Sequence, residues 1–199
     1  MRSVYNFVVK PKYGRHTSKK EIEGAELILN TELQNHEYVS RVGVVTACPN
    51  PNSTNIRVGD EIIVHHNVFR RFYDIRGNEK NSKSYFDEDI FLVAPDQIFA
   101  KKTFDKWEPL VGFNFIAPLE NDSKFSIEKE KPLVGVLKYK DPTIPVLEEN
   151  DIVGFRPGFE YEFIIDSQKL YRVPTNSITI KYEHQGNKKE YNPSWAQSS

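Results

Sequence analysis

The sequence Val-Gly-Asp-Glu-Ile-Ile-Val at residues 58–64 joins a tight turn directly to an apolar strand. Gly and Asp favour turns, whereas Ile and Val favour strands. A segment of the same kind, Glu-Asn-Asp-Ile-Val-Gly-Phe, stands at residues 149–155. The chain is therefore predicted to enter a core strand from an Asp-terminated turn twice, once in each half.

The segments around these two turns also repeat, and they do so in the same order. The matching positions are Pro11 and Pro118, Gly43 and Gly135, Asp60 and Asp151, and Ile98 and Ile178. Short runs with the strand period alternate with turn residues, and no stretch of ten or more residues has helical spacing with caps. We predict an all-β protein of sandwich or barrel type, with domains at 1–105 and 106–185 and a loose polar tail at 186–199.

The two copies differ in the length of their connections. Gly43 follows Pro11 by 32 positions, whereas Gly135 follows Pro118 by 17. The first copy therefore carries about 15 extra residues between its first two strands, and a shorter insert is predicted within residues 69–85. A long loop that only one copy has is a candidate for function.

Composition excludes several classes of protein. Lys and Arg number 27 against 28 Asp and Glu, so the net charge of -1 gives no general support for a nucleic-acid binder. No apolar run is long enough to cross a membrane, and the first residues lack a signal-peptide core. The single cysteine, Cys48, excludes an intrachain disulfide and a cysteine zinc site. We expect a cytoplasmic protein without a metal, a cofactor or a membrane partner.

Catalytic motifs are also missing from the sequence. No nucleophile motif surrounds a Ser or Cys residue, and no glycine-rich phosphate loop is present. We therefore expect that the chain is not an enzyme and has no catalytic residue.

The first half resembles a GroES-type co-chaperonin subunit. The resemblance rests on Val-Val-Lys-Pro at residues 8–11, a polar loop with the apolar triplet Leu27-Ile28-Leu29, Val-Gly-Val-Val at 42–45, and the 58–64 segment. It covers about residues 4–102, and about residues 113–182 resemble the same domain without the loop. The resemblance implies two small β-barrels in tandem. The loopless second copy suggests a divergent member of the family, such as one that a bacteriophage encodes.

The resemblance also implies a mechanism. Such subunits form a seven-membered ring that caps a GroEL-type chaperonin and encloses a client protein during ATP-dependent folding. The mobile loop would span about residues 13–38, and Gly24 would precede the triplet Leu27, Ile28 and Leu29 that docks on the apical domain. A polar segment with one apolar anchor suits folding on binding.

The second copy lacks such a triplet. Between residues 120 and 132 the apolar Ile127 stands alone among charged residues. We expect that this segment does not dock, so that each chain carries one active loop. One loop per chain favours seven chains, and hence fourteen β domains, in each cap.

Two other functions stay open. In one, a structural or assembly protein uses the duplicated β fold without a chaperonin, and Leu27–Leu29 is an ordinary core strand. In the other, less favoured, a small β-barrel module binds nucleic acid through residues 69–73, Phe-Arg-Arg-Phe-Tyr, which mix aromatic and basic side chains. Because the chain is close to neutral, we expect no nucleic-acid partner.

Overall fold

The computed structural model describes residues 3–12, 14–15, 19–22, 25–28, 41–121, 128–183, 186 and 189–197. The chain divides into two compact units, Met1–Lys106 and Trp107–Ser199. The prediction of an all-β protein is confirmed. In the described part, the helical elements are α1 (Ser194–Gln197) and single 3-10 turns at Pro95–Gln97 and Thr175–Ser177.

The first unit is built on an antiparallel sheet. The chain forms β1 (Phe7–Pro11), β2 (Lys19–Ile22), β3 (Ala25–Ile28), β4 (Val42–Ala47), β5 (Glu61–Val64), β6 (Arg71–Tyr73), β7 (Glu79–Asn81), β8 (Tyr85–Asp87), β9 (Ile90–Val93), β10 (Ile98–Thr103) and β11 (Lys106–Pro109). The order of the seven-stranded sheet is β11-β10-β5-β4-β1-β9-β8, and the chain passes into the second unit at the start of β11. Two pairs, β2-β3 and β6-β7, form separate two-stranded sheets.

The second unit has a six-stranded sheet with the same order of corresponding strands. Its strands are β12 (Phe113–Glu120), β13 (Glu130–Tyr139), β14 (Ile152–Phe155), β15 (Tyr161–Ile165), β16 (Gln168–Pro174) and β17 (Ile178–Lys181). Its order β17-β14-β13-β12-β16-β15 matches β10-β5-β4-β1-β9-β8 of the first unit. In the hydrogen-bonded order of the described strands, neither sheet closes into a barrel.

The repeated glycines lie where two strands approach closely. Gly43 pairs with Pro11, and Gly135 pairs with Pro118. A Cβ atom on Gly43 would lie 2.4 Å from Cγ1 of Val9, and one on Gly135 would lie 2.4 Å from the carbonyl oxygen of Ala117. Both distances are shorter than any ordinary contact, so each strand pair requires a residue without a side chain.

The repeated aspartates build the same turn in both units. The Oδ2 atom of Asp60 accepts a hydrogen bond from the backbone N–H of Arg57 at 2.8 Å. The Oδ2 atom of Asp151 accepts the equivalent bond from Glu148 at 2.7 Å. In both turns the Asp side chain satisfies a backbone donor three residues earlier, which explains why the turn needs Asp there.

Each unit has its own apolar core. Phe7, Val9, Ile62, Ile63, Phe69 and Phe91 are fully buried in the first unit. In the second unit the core cluster is Ile116, Leu137, Leu147, Val153, Phe155 and Val173. Consecutive residues Ile62 and Ile63 of β5 are both fully buried, so this strand is covered on both faces of the sheet.

The C-terminal segment is packed rather than loose where the structure describes it. Glu190 forms an antiparallel bridge with Leu119, and the N–H of Tyr191 donates to the carbonyl of Pro118 at 2.8 Å. Ala196 is fully buried in α1. Residues 189–197 are therefore part of the second unit, although their composition suggests a polar tail.

No helix in the described part of the chain is long and apolar enough to cross a membrane.

Candidate docking loop

The two ends of the connection between β1 and β4, which we call its root, lie side by side on the first sheet. The N–H of Lys12 donates to the carbonyl of Val42 at 3.0 Å, so the two ends of the connection are adjacent. The Nζ atom of Lys12 also lies 2.6 Å from Oε1 of Glu61 on β5. These contacts fix both ends of the long β1–β4 connection at one place on the sheet.

A hairpin lies within this connection. Strands β2 and β3 pair antiparallel, with Lys19 opposite Ile28 and Lys20 opposite Leu27. They form a sheet of their own and do not extend the seven-stranded sheet. A two-stranded sheet by itself is at best marginally stable in water. This hairpin is therefore suited to a segment that gains order on a partner.

The structure places two of the four predicted docking residues. Leu27 and Ile28 belong to β3, whereas Gly24 and Leu29 lie outside the described residues. The backbone of the triplet's first two residues thus pairs with β2, not with the main sheet as an ordinary core strand would. The sequence indicated a polar loop with an apolar anchor, and it did not indicate the hairpin.

Arg15 attaches the root of the connection to the insert at residues 69–85. Its Nε donates to the carbonyl of Phe69 at 2.9 Å, and its Nη2 donates to Oδ1 of Asn81 at 2.6 Å. Its guanidinium carbon lies 5.1 Å from the ring centroid of Tyr85 and 5.2 Å from that of Phe91. Cation–π and hydrogen-bond contacts together fix this side chain. Sequence reasoning missed this contact, because nothing local to residue 15 points to a partner so distant in the chain.

The corresponding connection in the second unit closes much sooner. The N–H of Asn121 donates to the carbonyl of Lys129 at 2.8 Å, and its side-chain Nδ2 donates to the carbonyl of Glu128 at 3.2 Å. Ile127 lies outside the described residues. The connection between β12 and β13 is thus much shorter than the connection between β1 and β4.

A cleft of about 540 Å³ lies in the second unit. Glu130 and Tyr171 line it, and Nζ of Lys169 lies 2.6 Å from Glu130 and 2.8 Å from Glu162. Burial by itself lowers the pKa of Lys169, but the hydrogen bonds to Glu130 and Glu162 outweigh it and raise that pKa. Burial and the hydrogen bond to Glu130 raise the pKa of Tyr171 to about 12. Near neutral pH both groups keep their protons, so this network is suited to holding strands together rather than to proton transfer.

Within the described residues, no group of three or more His, Cys, Asp or Glu side chains could hold a metal ion.

No protein-family model and no curated protein matches the chain. Its function is therefore inferred from the loop and the fold that carries it.

Proposed function

We propose that the chain is a GroES-like co-chaperonin subunit, whose β1–β4 loop docks on a GroEL-type chaperonin. In this role it caps the chaperonin ring in the cytoplasm and assists ATP-dependent folding of an enclosed client protein, without catalysing a reaction itself. The observation that carries the proposal is the long β1–β4 connection of the first unit, whose ends are hydrogen-bonded together and whose Leu27 and Ile28 lie on a hairpin outside the main sheet.

The finer fold belongs to the same proposal. We infer that the units are two domains of the GroES-like small β-barrel type that arose by duplication, although the hydrogen bonds of the described strands leave each sheet open. The equal order of corresponding strands supports duplication, as do the matched Gly–Pro pairings at Gly43 and Gly135 and the matched turns at Asp60 and Asp151.

The energetics of a single loop suit reversible docking. Burying each side chain of the triplet Leu27-Ile28-Leu29 contributes about 1.5–3 kcal/mol. Ordering the backbone costs about 1–2 kcal/mol per residue, so one loop binds weakly. A ring of loops raises the effective concentration of each remaining loop once the first has bound. A ring of loops can therefore hold the cap firmly on the chaperonin and still release it.

Co-purification tests the proposal directly. The full chain is mixed with a GroEL-type chaperonin and ATP, and the complex is isolated by size exclusion. We expect the wild type to co-elute and a variant with Leu27→Ser, Ile28→Ser and Leu29→Ser to elute separately. Val58→Ser is the matched control, because Val58 is a 63 % exposed apolar residue outside the loop.

The outcome separates the candidate functions. A wild type that does not bind the chaperonin, or a triple variant that binds as tightly, would contradict the proposal. The first result would favour a structural or assembly protein with the same fold. Circular dichroism of the triple variant shows whether its β structure is retained, so that lost binding can be assigned to the loop.

A further inference from the structure

The hairpin β6–β7 has a tip that its own hydrogen bonds hold in one shape. The carboxylate of Asp74 accepts the backbone N–H groups of Arg76 and Asn78, each at 2.9 Å, and the side-chain amide of Asn78 at 3.2 Å. The N–H of Gly77 donates to the carbonyl of Asp74 at 2.9 Å. The tip is therefore preorganised, which lowers the entropy cost of binding through it.

This tip presents apolar side chains to solvent. Ile75, at its apex, is completely exposed, and Phe72 and Tyr73 on β6 are exposed by 44 % and 45 %. By contrast, Phe69 at the base is fully buried and packs edge-on against Phe91 at 4.8 Å. The base thus belongs to the core while the tip stands free of it. An aliphatic side chain at a rigid apex is a common form of anchor for a pocket in a partner.

The hairpin is next to the root of the docking loop. Arg15 joins the two through its hydrogen bonds to Phe69 and Asn81, which lie at the two ends of the hairpin. A partner that takes up the loop is therefore brought to the hairpin as well. A second contact on the same partner gains from this proximity.

The segment that contains the hairpin is also more basic than the rest of the chain. Residues 69–85 contain five basic and two acidic side chains, whereas the whole chain has a net charge of -1. Two of the basic side chains are already paired within the hairpin: Arg71 with Glu79 at 3.0 Å and Lys80 with Asp74 at 4.0 Å. Of the other three, Arg76 lies in the tip next to Ile75, whereas Arg70 and Lys83 lie beyond the two ends of the hairpin.

We propose that the β6–β7 hairpin is a second docking element, which places Ile75 in an apolar pocket bordered by acidic residues on the protein that binds the loop. This inference rests on the proposed function, since it assigns the hairpin to the same partner. The aliphatic apex favours a protein over single-stranded nucleic acid, because bases stack on aromatic rings and gain little from isoleucine.

The test compares Ile75→Ser with Phe104→Ser in the full chain. Phe104 is also a completely exposed apolar residue of the first unit, but it lies in the β10–β11 turn. Affinity for a GroEL-type chaperonin is measured in ATP by surface plasmon resonance. We expect Ile75→Ser to bind at least about tenfold more weakly, as loss of one buried aliphatic side chain implies. Phe104→Ser should bind like the wild type.

Each outcome decides something distinct. If the wild type binds and Ile75→Ser binds equally well, the second docking element is excluded while the proposed function stands. If the wild type does not bind, both fail. A 20-nucleotide oligo(dT) probe covers the other partner: micromolar binding that Phe72→Ala and Tyr73→Ala abolish, with unchanged chaperonin affinity, would assign the hairpin to nucleic acid and overturn the inference.

Discussion

Asp141 shows how much one buried side chain organises in the second unit. Its Oδ2 accepts the N–H of Gly112 at 2.8 Å and the hydroxyl of Thr175 at 2.6 Å, while its Oδ1 accepts the N–H of Thr143 at 2.8 Å and its hydroxyl at 2.7 Å. Burial by itself raises the pKa of Asp141, but these hydrogen bonds outweigh it and hold that pKa below its usual value. The ionised carboxylate therefore joins the start of β12, the end of β13 and the turn before β17.

Replacing this carboxylate with an amide should destabilise the second unit. Both oxygens accept a backbone N–H, so an asparagine side chain at this position would turn its NH2 group toward a donor in either orientation. We expect Asp141→Asn to lower the free energy of unfolding by about 3 kcal/mol, the cost of unsatisfied buried donors. Urea unfolding followed by Trp fluorescence measures it, with the exposed Asp105→Asn as control. A loss below about 1 kcal/mol would show that the network tolerates the amide.

The raised pKa of Tyr171 makes a prediction for alkaline pH. The phenol ionises near 10 in the unfolded chain and at about 12 in the folded unit. The unfolded state therefore loses this proton first, and the contribution of Tyr171 to stability is lost as pH rises from about 10 to about 12. Tyr171→Phe should flatten the fall in the free energy of unfolding over this window. Tyr5→Phe, the same substitution at an 80 % exposed position, is the matched control.

Among the elements, strands β12 and β13 approach each other so closely that they restrict the residue type at position 135. A Cβ atom on Gly135 meets the backbone oxygen of Ala117 at 2.4 Å, and a backbone atom cannot rotate away as a side chain can. Gly154 in the neighbouring strand β14 has its nearest atom at 3.4 Å, which is ordinary contact. The same substitution at these two positions therefore separates close approach from the general effect of replacing glycine.

We expect Gly135→Ala to destabilise the second unit by about 3 kcal/mol, the range found for overpacking. Gly154→Ala should change the free energy of unfolding by less than about 1 kcal/mol. Thermal unfolding of the two full-length variants against the wild type measures both. Equal effects in the two variants would mean that β12 and β13 separate without cost.

The hairpins β2–β3 and β6–β7 illustrate a different balance within the elements. Neither extends the main sheet, so each stands on one strand pairing and on its attachment at the base. The tip of β6–β7 is held by Asp74, whereas the connection that contains β2–β3 is anchored by Lys12 and Arg15. Neither hairpin is therefore held by hydrogen bonds to a neighbouring strand of the main sheet.

At the scale of the whole molecule, the asymmetry of the two units bears on assembly. The β1–β4 connection is long and the corresponding β12–β13 connection is short, so under the proposed function each chain carries one docking loop. If each chain occupies one position on a seven-fold chaperonin, the cap contains seven chains and fourteen β domains.

Native mass spectrometry checks this stoichiometry. Seven chains of 23.1 kDa give an assembly of about 160 kDa. We expect this mass for the free ring or for the cap released from its complex with the chaperonin. An assembly of four chains would instead mean that both units of each chain occupy capping positions, and it would exclude one active loop per chain.

The repeated turns and glycines could be predicted from sequence because their causes are local. Asp60 and Asp151 each satisfy a backbone donor three residues away, and Gly43 and Gly135 each stand beside a strand that must approach closely. Such requirements restrict the residue type at one position, so they leave a readable pattern. The apolar triplet Leu27-Ile28-Leu29 in its polar segment is also visible in the sequence, and its docking role stays a prediction.

The long-range contacts that determine which segments lie together on the surface could not be predicted from the sequence. Arg15 contacts Phe69 and Asn81 across more than fifty residues, and Glu190 and Tyr191 pair with β12 although their segment is polar. Many polar segments have the same composition and no such partner. By itself the sequence determined an all-β chain with a repeated turn and one long loop, because periodicity and turn chemistry act locally. Only the tertiary structure decided that the loop root meets the insert and that Ile75 stands exposed beside it, because those positions depend on which distant strands pair.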